Sequence, residues 1–302
     1  MKRVSVIIPA YNKADYTVRT VQSILDQTWQ SIEILVIDDG SKDDTQEKME
    51  AFGDSIRYFR KQNGGACAAR NFGIRQAKGD YLAFIDCDDV YYPEKITKSV
   101  ALLDENPDYG FVHTNIHFID ADEKIISKTP STKINCNGWI SDRMLNTNLV
   151  FNSTVVVRRE CLEKVGNFDE SVFIPADWDL WLRLSEQYQV GYIDEPLTGY
   201  RKADNYTIAN IEESLDEEIQ VLKKAFARRK TPNFSTHIYL SNTYYRTGLL
   251  YGAVKDLSNS RNMFFKAIKE WPLNWKSLCF FTALCFAPHF THKKINSLLN
   301  SL

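Results

Sequence analysis

Residues 81–89 constrain the possible fold of this chain most, because an apolar run with the pattern of a buried strand ends abruptly in carboxylates. Tyr81 to Ile85 are apolar or aromatic, and Asp86, Asp88 and Asp89 follow within four residues. Carboxylates gathered at the end of a buried strand repel one another and lose hydration, so a cation is expected among them. Mg²⁺ or Mn²⁺ carrying phosphate oxygens suits such a cluster. A solvated acidic turn is the alternative that this motif leaves open on its own.

The segments before this cluster repeat a strand, loop and helix plan. Apolar runs predict the strands, and the spacing of apolar residues after each polar loop predicts the helices. The predicted strands are Val4–Ile8, Ile34–Ile37, Ile56–Phe59 and Tyr81–Ile85, and the last predicted helix covers Ala66–Ala77. Strands that alternate with single helices form parallel crossovers, so the four strand ends should lie along one edge of one sheet. Ligands of open α/β sheets bind at that edge.

Further motifs follow in a fixed order along the chain. They are Ser5–Asn12, Ser23–Thr28, Glu33–Thr45, Asn63–Asn71 and Asp86–Asp88, then Asn152–Arg159, Val165–Asp169 and Asp177–Leu184. In order and spacing they resemble the family 2 glycosyltransferases with a GT-A fold, over roughly residues 1–205. The resemblance implies an α/β fold, with a Rossmann-like, mostly parallel central sheet flanked by helices. It divides the chain into a nucleotide-sugar-binding half (1–110), an acceptor-binding half (111–208) and a C-terminal helical region (209–302).

Composition and charge exclude some other classes. The formal net charge of the 302 residues is −2, which gives no electrostatic reason to expect a nucleic-acid partner. The six cysteines show neither CxxC pairs nor the spacing of a zinc site, so they should be reduced and mostly buried. The first strand begins almost at the N-terminus, which leaves no room for a signal peptide and predicts a cytoplasmic catalytic domain.

The first two loops are predicted to hold the nucleotide. Tyr11 stands where a dinucleotide-binding fold needs glycine, so this loop cannot press bare backbone against a pyrophosphate. The resemblance implies that Tyr11 packs against the base instead and that Asp39 accepts a hydrogen bond from uracil. The residues of the first binding loop are Pro9, Ala10, Tyr11 and Asn12. The alternatives are that Tyr11 covers a helix start and that Asp38–Ser41 caps the next helix.

The third and fourth loops are predicted to lie near the donor and to hold its ribose and the metal. Glycines before a helix, here Gly64 and Gly65, leave backbone amides facing the site. The resemblance places Arg70 and Asn71 of the same helix near the donor, although a helical arginine is more often paired at the surface. It assigns Asp86 to the ribose and Asp88 to the metal, and Cys87 between them joins the predicted binding set. Asp89 is expected to support the site rather than to bind in it.

A departure from the family follows Tyr200. Many relatives carry a histidine shortly after this tyrosine and the next arginine, but this chain has Lys202 and Ala203 instead. Arg201 or Lys202 could still neutralise the diphosphate, and Arg201 is the predicted ligand. The five histidines show no ligand-like spacing, so they are expected to be structural or exposed.

The second carboxylate centre is Asp177, at the start of a predicted helix. An acid in this place is often only a helix cap. The resemblance implies that Asp177 is the general base, which takes the proton of the acceptor hydroxyl as that oxygen attacks the anomeric carbon. The usual first acid of the motif is missing, since residue 176 is alanine. Asp179 is the second choice, although two residues further along a helix it should point away from Asp177.

Beyond residue 210 the pattern is helical. Ile211–Arg229 predicts one amphipathic helix, and Ser235–Ser301 predicts helices broken near Pro272 and Pro288. The apolar run Leu278–Ala287 is too short to cross a bilayer, which takes about 20 residues. A core helix is one interpretation. A peripheral membrane contact through residues 271–294, at the inner face of the cytoplasmic membrane, is the sharper alternative.

The sequence therefore predicts an inverting, metal-dependent glycosyltransferase that uses Mn²⁺ or Mg²⁺. The predicted donor is a nucleotide sugar with UDP as its nucleotide, and the predicted acceptor is a glycan or a lipid-linked sugar in cell-surface polysaccharide synthesis. Two other classes compete with this prediction. Asp86-Cys87-Asp88-Asp89-Val90 also fits a phosphatase with an aspartyl nucleophile, but that motif normally opens its domain. A noncatalytic nucleotide-sugar-binding module would account for the alanine at position 176.

Overall fold

One mixed β-sheet carries the predicted site residues. The computed structural model describes residues 2–128, 136–201, 208–230 and 233–286. Within these ranges the strands are β1 (Val4–Ala10), β2 (Ile32–Asp38), β3 (Arg57–Arg60), β4 (Tyr81–Phe84), β5 (Val90–Tyr91), β6 (Tyr109–Ile119), β7 (Ile125–Lys128), β8 (Val156–Arg158) and β9 (Gln189–Arg201). Their order across the sheet is β3-β2-β1-β4-β8-β6-β9-β5, and β7 pairs with β6.

Strands β1 to β4 form a parallel half, as the sequence predicts. β1 pairs in parallel with both β2 and β4, and β2 pairs in parallel with β3. Every residue of β1 is buried, which suits a central parallel strand that is covered on both faces. The ends of β1 and β2 meet where the Asp39 amide donates to the Ala10 carbonyl at 2.8 Å. The predicted convergence of strand ends at one edge is confirmed.

Seven helices in the described part of residues 1–201 flank this sheet. They are α1 (Ala14–Leu25), α2 (Thr45–Glu50), α3 (Gly65–Gln76), α4 (Lys95–Glu105), α5 (Ser141–Met144), α6 (Arg159–Val165) and α7 (Ala176–Ser185). Helix α3 packs very closely on β1, since a Cβ added at Gly73 would lie 2.5 Å from a methyl carbon of Ile7. Only glycine fits there without displacing the strand, and this contact fixes the height of α3 above the sheet.

The other half of the sheet is mixed and closes the far side of the site. β8 runs antiparallel to both β4 and β6, while β6 and β9 run parallel with several register shifts. The short strand β5 pairs antiparallel with β9 and so brings Val90 opposite Gly199. This pairing places the segment after the acidic cluster beside the end of β9. The mixed α/β architecture with a mostly parallel first half agrees with the predicted fold class.

The structure divides into two compact units. The first comprises the described residues of 1–144 and 148–203, and the second comprises those of 145–147 and 204–302. The proposed split of the first unit near residue 110 stays a prediction. Lys202, the second predicted ligand of the diphosphate, lies outside the described residues.

The second unit is helical, as predicted. Its helices are α8 (Ile208–Arg229), α9 (Asn233–Ala253), α10 (Leu257–Glu270) and α11 (Trp275–Phe286). Two apolar clusters hold it together, one of Ile211, Leu215, Tyr251 and Met263, and one of Leu249, Phe264, Phe280 and Leu284. The predicted break near Pro272 falls between α10 and α11.

Helix α11 combines core and exposed apolar residues. Phe280 and Leu284 are buried, whereas Trp275 is 66% exposed and Leu278 is 49% exposed. No helix among the described residues is long and apolar enough to span a bilayer. Residues 287–294 of the predicted membrane contact, and the break predicted near Pro288, lie outside the described residues.

The cysteines are mostly buried, as the sequence predicts. All six are free, and Cys67, Cys87, Cys136 and Cys161 are buried while Cys279 and Cys285 are exposed.

Candidate active site

A cavity of about 690 Å³ lies at the carboxyl edge of the parallel strands, within the range typical of small-ligand sites. Ten of the predicted binding residues line it: Pro9, Ala10, Tyr11, Asp39, Gly65, Arg70, Asp86, Cys87, Asp88 and Arg201. Asn12 and Asn71 do not line it. The lining also includes Lys13, Asn63, Gly64, Ala66, Asp89, Phe173 and Tyr200. The four strand-end loops therefore enclose one shared space, as the topology predicts.

Asn12 connects two loops rather than facing the cavity. Its backbone adopts a positive φ of 50°. Its side-chain oxygen accepts from the Lys42 amide at 2.7 Å, and its own amide donates to the Ser41 hydroxyl at 3.0 Å. These two bonds hold the β1 loop against the β2 loop and leave Tyr11, which is 43% exposed, at the cavity. Asn12 thus positions the predicted base-binding residue.

Asp39 is the most heavily bonded carboxylate of the cavity. Its side chain is buried and accepts from the Gly64 amide at 3.0 and 3.1 Å, from the Gly65 amide at 2.7 Å and from the Lys61 ammonium at 2.5 Å. A carboxylate with several fixed donors is held in one orientation. Asp39 therefore joins the β2 loop to the start of α3 and fixes this end of the cavity.

The segment Asp38–Ser41 does not cap helix α2, which was the alternative for this motif. The helix begins at Thr45, and the amide of Thr45 donates to the Asp43 carboxylate at 3.2 Å. Asp38 instead accepts from the Ser41 amide and from the Tyr58 hydroxyl. Its role is to fix the loop itself.

Gly65 begins α3 at a point where no side chain fits. Its φ is +88°, and an added Cβ would lie 2.9 Å from the ring of Phe173. Phe173 itself is 62% exposed and belongs to the loop that leads to Asp177. An aromatic ring therefore stands over the amide end of α3, at the boundary of the cavity.

Arg70 and Asp86 form the central ion pair of the site. The guanidinium Nη2 lies 2.6 Å from Asp86 Oδ1, and the Arg70 side chain is only 11% exposed. The Asn152 side chain donates to the same carboxylate oxygen at 3.1 Å, and the Asp86 amide donates to the Ser153 hydroxyl at 3.0 Å. Asp86 is thus held from both halves of the sheet. The predicted place of Arg70 near the donor site is consistent with this pairing.

Asp89 and Arg201 are two buried residues of the cavity wall that contact each other. The Arg201 amide donates to Asp89 Oδ1 at 2.8 Å, and its Nε donates to the Asp88 carbonyl at 2.7 Å. The Arg201 guanidinium also lies 4.5 Å from the Tyr16 ring centroid. Burial, together with the negative charge of Asp86, raises the pKa of Asp89 well above its usual range. The supporting role of Asp89 stays a prediction, and the Arg201 guanidinium donates to the carbonyls of Asp88 and Asp120.

Asp88 is the carboxylate of the cluster that faces the cavity with the fewest protein contacts. Its side chain is 24% exposed, and its Oδ2 lies 2.5 Å from the Lys13 ammonium. Among the described residues no group of three His, Cys, Asp or Glu side chains forms a ready metal cage. A divalent cation that takes one carboxylate and several substrate phosphate oxygens needs no such cage. The donor set at Asp88 fits that kind of site.

Asp177 is the second residue of α7 and lies beside the central ion pair without lining the cavity. Loss of hydration raises its pKa to about 6, the charge of Asp86 adds to the rise, and the charge of Arg70 opposes it. The Trp178 amide donates to its Oδ1 at 2.7 Å and the Asn148 side chain to its Oδ2 at 3.2 Å. Asp177 is therefore not a helix cap, and its contact with the Trp178 amide coexists with the raised pKa.

Asp179, the second choice for the base, is in the wrong place for that role. Its side chain is 2% exposed and pairs with Arg183 Nε at 2.8 Å. Arg183 also donates to the carbonyls of Val165, Gly166 and Asn167. The Asp179–Arg183 pair therefore fixes α7 on the preceding loop.

Asn71 points away from the cavity and holds a distant loop. Its side chain donates to the Phe168 carbonyl at 3.0 Å and to Glu170 at 2.8 Å, and it accepts from the Phe168 amide at 3.0 Å. The loop it holds carries Phe173. Asn71 thus supports the cavity wall from behind instead of binding in it.

Sequence reasoning missed three side chains at the site. Lys13 and Phe173 line the cavity, and Asn148 contacts Asp177. None of them stands in a motif that suggests chemistry. Tyr200 was noticed only as a landmark, yet burial and the charges of the nearby carboxylates raise its pKa and keep its hydroxyl protonated.

The sequence comparison gives a family. A profile described as "Glycosyl transferase family 2" matches residues 5–166. An uncharacterised glycosyltransferase of Rickettsia typhi is 34% identical over 256 residues, which cover 79% of this chain and 78% of the relative.

The structural comparison supports the fold. Residues 1–349 of Staphylococcus aureus TarS, solved with UDP-GlcNAc, match 99% of this chain and 92% of that chain with a TM-score of 0.67 and 15% identity. A mannosyltransferase of Pyrobaculum calidifontis, solved with GDP-Man and Mn²⁺, matches 98% of this chain and 87% of that chain with a TM-score of 0.61 and 16% identity. At such low identity these structures show the shared fold alone.

Proposed function

We propose that this chain, which belongs to glycosyl transferase family 2 and is a glycosyltransferase, transfers a sugar with inversion from a UDP-sugar to a hydroxyl group of a glycan or lipid-linked acceptor. The observation that carries the proposal is the one cavity lined by Asp39, Arg70, Asp86 and Asp88, with Asp177 beside its central ion pair. Binding groups and a candidate base therefore occur at one place.

The donor is proposed to lie along the strand edge. Tyr11 offers an exposed ring for the base, and Asp39 is a fixed acceptor for a base N–H. The amide end of α3 and the Arg70–Asp86 pair follow in the direction of Asp177. The solved relative with UDP-GlcNAc favours UDP as the nucleotide, although its sugar is not carried over to this chain.

A divalent cation is proposed at Asp88, with Mn²⁺ or Mg²⁺ as the candidates. When bound, such a cation neutralises the charge that develops on the departing diphosphate. Arg70 is held by Asp86, and the Arg201 guanidinium donates to the backbone carbonyls of Asp88 and Asp120, so neither is free to supply all of that charge. The Mn²⁺ in the structure of the Pyrobaculum relative supports the choice of metal.

Asp177 is proposed as the general base. With a pKa of about 6 its carboxylate is mostly ionised at neutral pH and still basic enough to take a proton. The acceptor oxygen forms its bond to the anomeric carbon while the bond from that carbon to the diphosphate oxygen breaks, and the hydroxyl proton passes to Asp177. A single displacement of this kind inverts the anomeric configuration. The alanine at position 176 leaves the base itself in place.

The phosphatase interpretation of the acidic cluster is disfavoured. The glycosyl transferase profile that matches residues 5–166 includes this cluster. Three strand and helix units also precede the motif, unlike the phosphatase arrangement.

The cellular role proposed is cell-surface polysaccharide synthesis at the inner face of the cytoplasmic membrane. The exposed side chains Leu273, Trp275 and Leu278, with Lys276 between them in the sequence, give α11 and the turn before it an exposed apolar surface that includes a positive charge. Flotation of the full chain with anionic vesicles tests this contact. Trp275→Ser with Leu278→Ser should reduce flotation, while Phe265→Ser on α10 is a matched exposed control.

The function is tested by thermal unfolding with a panel of UDP-sugars and GDP-sugars, each with and without Mn²⁺. A donor at about 100 times its Kd adds about 2.7 kcal/mol of stability, which a melting curve resolves. Stabilisation should be largest for a UDP-sugar with Mn²⁺ and should lose its Mn²⁺-dependent part in Asp88→Ala. Asp15→Ala removes an exposed carboxylate outside the cavity and should behave as wild type. If Mn²⁺ and donor stabilise Asp88→Ala as much as wild type, Asp88 is not the metal ligand.

A further inference from the structure

Lys13 is a cavity residue that the proposed mechanism does not use. It stands directly before α1 and reaches the acidic cluster, where its ammonium lies 2.5 Å from Asp88 Oδ2. Its side chain is 44% exposed, so the ammonium can leave this partner without opening the fold. Since Asp88 is the carboxylate proposed for the metal, Lys13 occupies the same ligand that the metal needs.

The neighbouring carboxylates offer Lys13 no comparable alternative. Asp86 is already paired with Arg70 and Asn152. Asp89 is buried and accepts from the Arg201 amide. The Lys13 charge is therefore directed at Asp88, where it repels a divalent cation that binds the same carboxylate.

A diphosphate offers Lys13 a better partner. Lysine binds phosphate as a point charge, and a diphosphate carries more negative charge and more acceptor oxygens than the single Asp88 carboxylate. Lys13 lines the same cavity as Arg70 and Asp88, so a nucleoside diphosphate bound in this cavity lies near the Lys13 ammonium.

We propose that Lys13 pairs with Asp88 when the donor is absent and transfers to the donor diphosphate when a divalent cation takes its place on Asp88. This inference rests on the proposed function of the cavity. Lys13 is thus a competitor of the free metal and a ligand of the metal-bound nucleotide. It also screens the acidic cluster while the site is empty of donor.

The exchange predicts opposite effects on two affinities when Lys13 is removed. Lys13→Met keeps most of the apolar stem but abolishes the charge. The affinity for Mn²⁺ alone should rise about two- to fivefold, the scale of an exposed ion pair. The affinity for UDP at saturating Mn²⁺ should fall about tenfold, the scale of one hydrogen bond to a charged group.

The experiment measures Mn²⁺ binding by electron paramagnetic resonance and UDP binding by calorimetry in the full chain. Lys42→Met is the matched control, because Lys42 is an exposed lysine on the adjacent β2 loop that does not line the cavity. Lys42→Met should change neither affinity, and Asp88→Ala should lose the Mn²⁺-dependent part of UDP binding.

The outcomes separate the two proposals. Opposite shifts in Lys13→Met, with none in Lys42→Met, support the exchange. Shifts of the same sign, no shift, or equal shifts in Lys42→Met overturn it while Asp88→Ala still shows its loss. If Asp88→Ala binds Mn²⁺ and UDP as wild type does, the metal site proposed above fails instead.

Discussion

The two ends of the site differ in how firmly the protein holds them. At the nucleotide end, Asp39 accepts from two backbone amides and an ammonium and is buried. At the base end, Asp177 is partly exposed and accepts one neighbouring amide and a 3.2 Å bond from Asn148. A binding group gains from being fixed before the ligand arrives, because preorganisation lowers the cost of binding. A base gains from incomplete contacts, since each further donor would lower its pKa and its ability to take a proton.

Asp39→Asn should have the largest effect, because it loosens the firmly held nucleotide end. The amide keeps the shape of the side chain but turns a donor toward the Gly64 and Gly65 amides, which leaves buried groups without partners. We expect a loss of about 1–3 kcal/mol in the free energy of unfolding and weaker UDP binding. Denaturant unfolding and calorimetry measure the two effects.

Asp15→Asn is the control for that substitution, since the Asp15 side chain is 82% exposed. It should change the free energy of unfolding by less than about 0.5 kcal/mol. Equal stability of the two variants would mean that the bonds of Asp39 do not hold the nucleotide end.

Lys95 is fully buried on α4, beside the turn at Asn152–Thr154 that contacts Asp86. Its ammonium donates to the Thr154 carbonyl at 2.6 Å and to Ser99 at 3.1 Å, and burial lowers its pKa to about 7 from 10.5. Between these two pH values the unfolded chain binds a proton that the folded chain does not. The stability that Lys95 contributes therefore rises with pH from about 7 to about 10.

Lys95→Met should remove this pH dependence. The difference in unfolding free energy between wild type and variant should move by about 2 kcal/mol in favour of wild type from pH 7 to pH 9. Urea unfolding at the two pH values measures it. Lys98→Met, on the exposed face of the same helix, should show no such change, and parallel profiles for Lys95→Met would argue against a shifted lysine.

The smallest expected effect is that of Asn148→Ala. The Asn148 side chain donates to Asp177 and lowers its pKa, so its removal should raise that pKa. The acid limb of kcat/KM should move to higher pH by roughly half a unit, the scale of a weak hydrogen bond. UDP affinity should stay the same. A change in UDP affinity without a shift of the limb would place Asn148 at the donor instead.

The nucleotide end could be predicted from sequence because its parts are local. Each strand ends in its own polar loop, and parallel pairing brings the loops together, so Tyr11, Asp39 and Asp88 were placed correctly at one cavity. Gly40 likewise has the positive φ of 82° that a loop glycine suggests. Periodicity and turn chemistry were sufficient for this part.

The remaining contacts join residues far apart in the chain. Lys13 meets Asp88 across 75 positions, and Asn71 meets Phe168 across 97. Neither pair has a spacing or composition that predicts the contact, because the sheet order alone brings the partners together. The sequence therefore predicted that Asn71 binds the donor, whereas its hydrogen bonds to Phe168 and Glu170 hold the loop behind the cavity wall.

The most direct test of the account compares turnover and donor binding in Asp177→Asn. This change keeps the size of the side chain but removes its ability to take the acceptor proton. With the UDP-sugar identified by thermal unfolding, turnover should fall by about 10²- to 10⁴-fold while the Kd for the donor with Mn²⁺ stays the same. A variant with normal turnover, or one whose loss comes from weaker donor binding, would contradict the separation of a fixed nucleotide end from a catalytic base at Asp177.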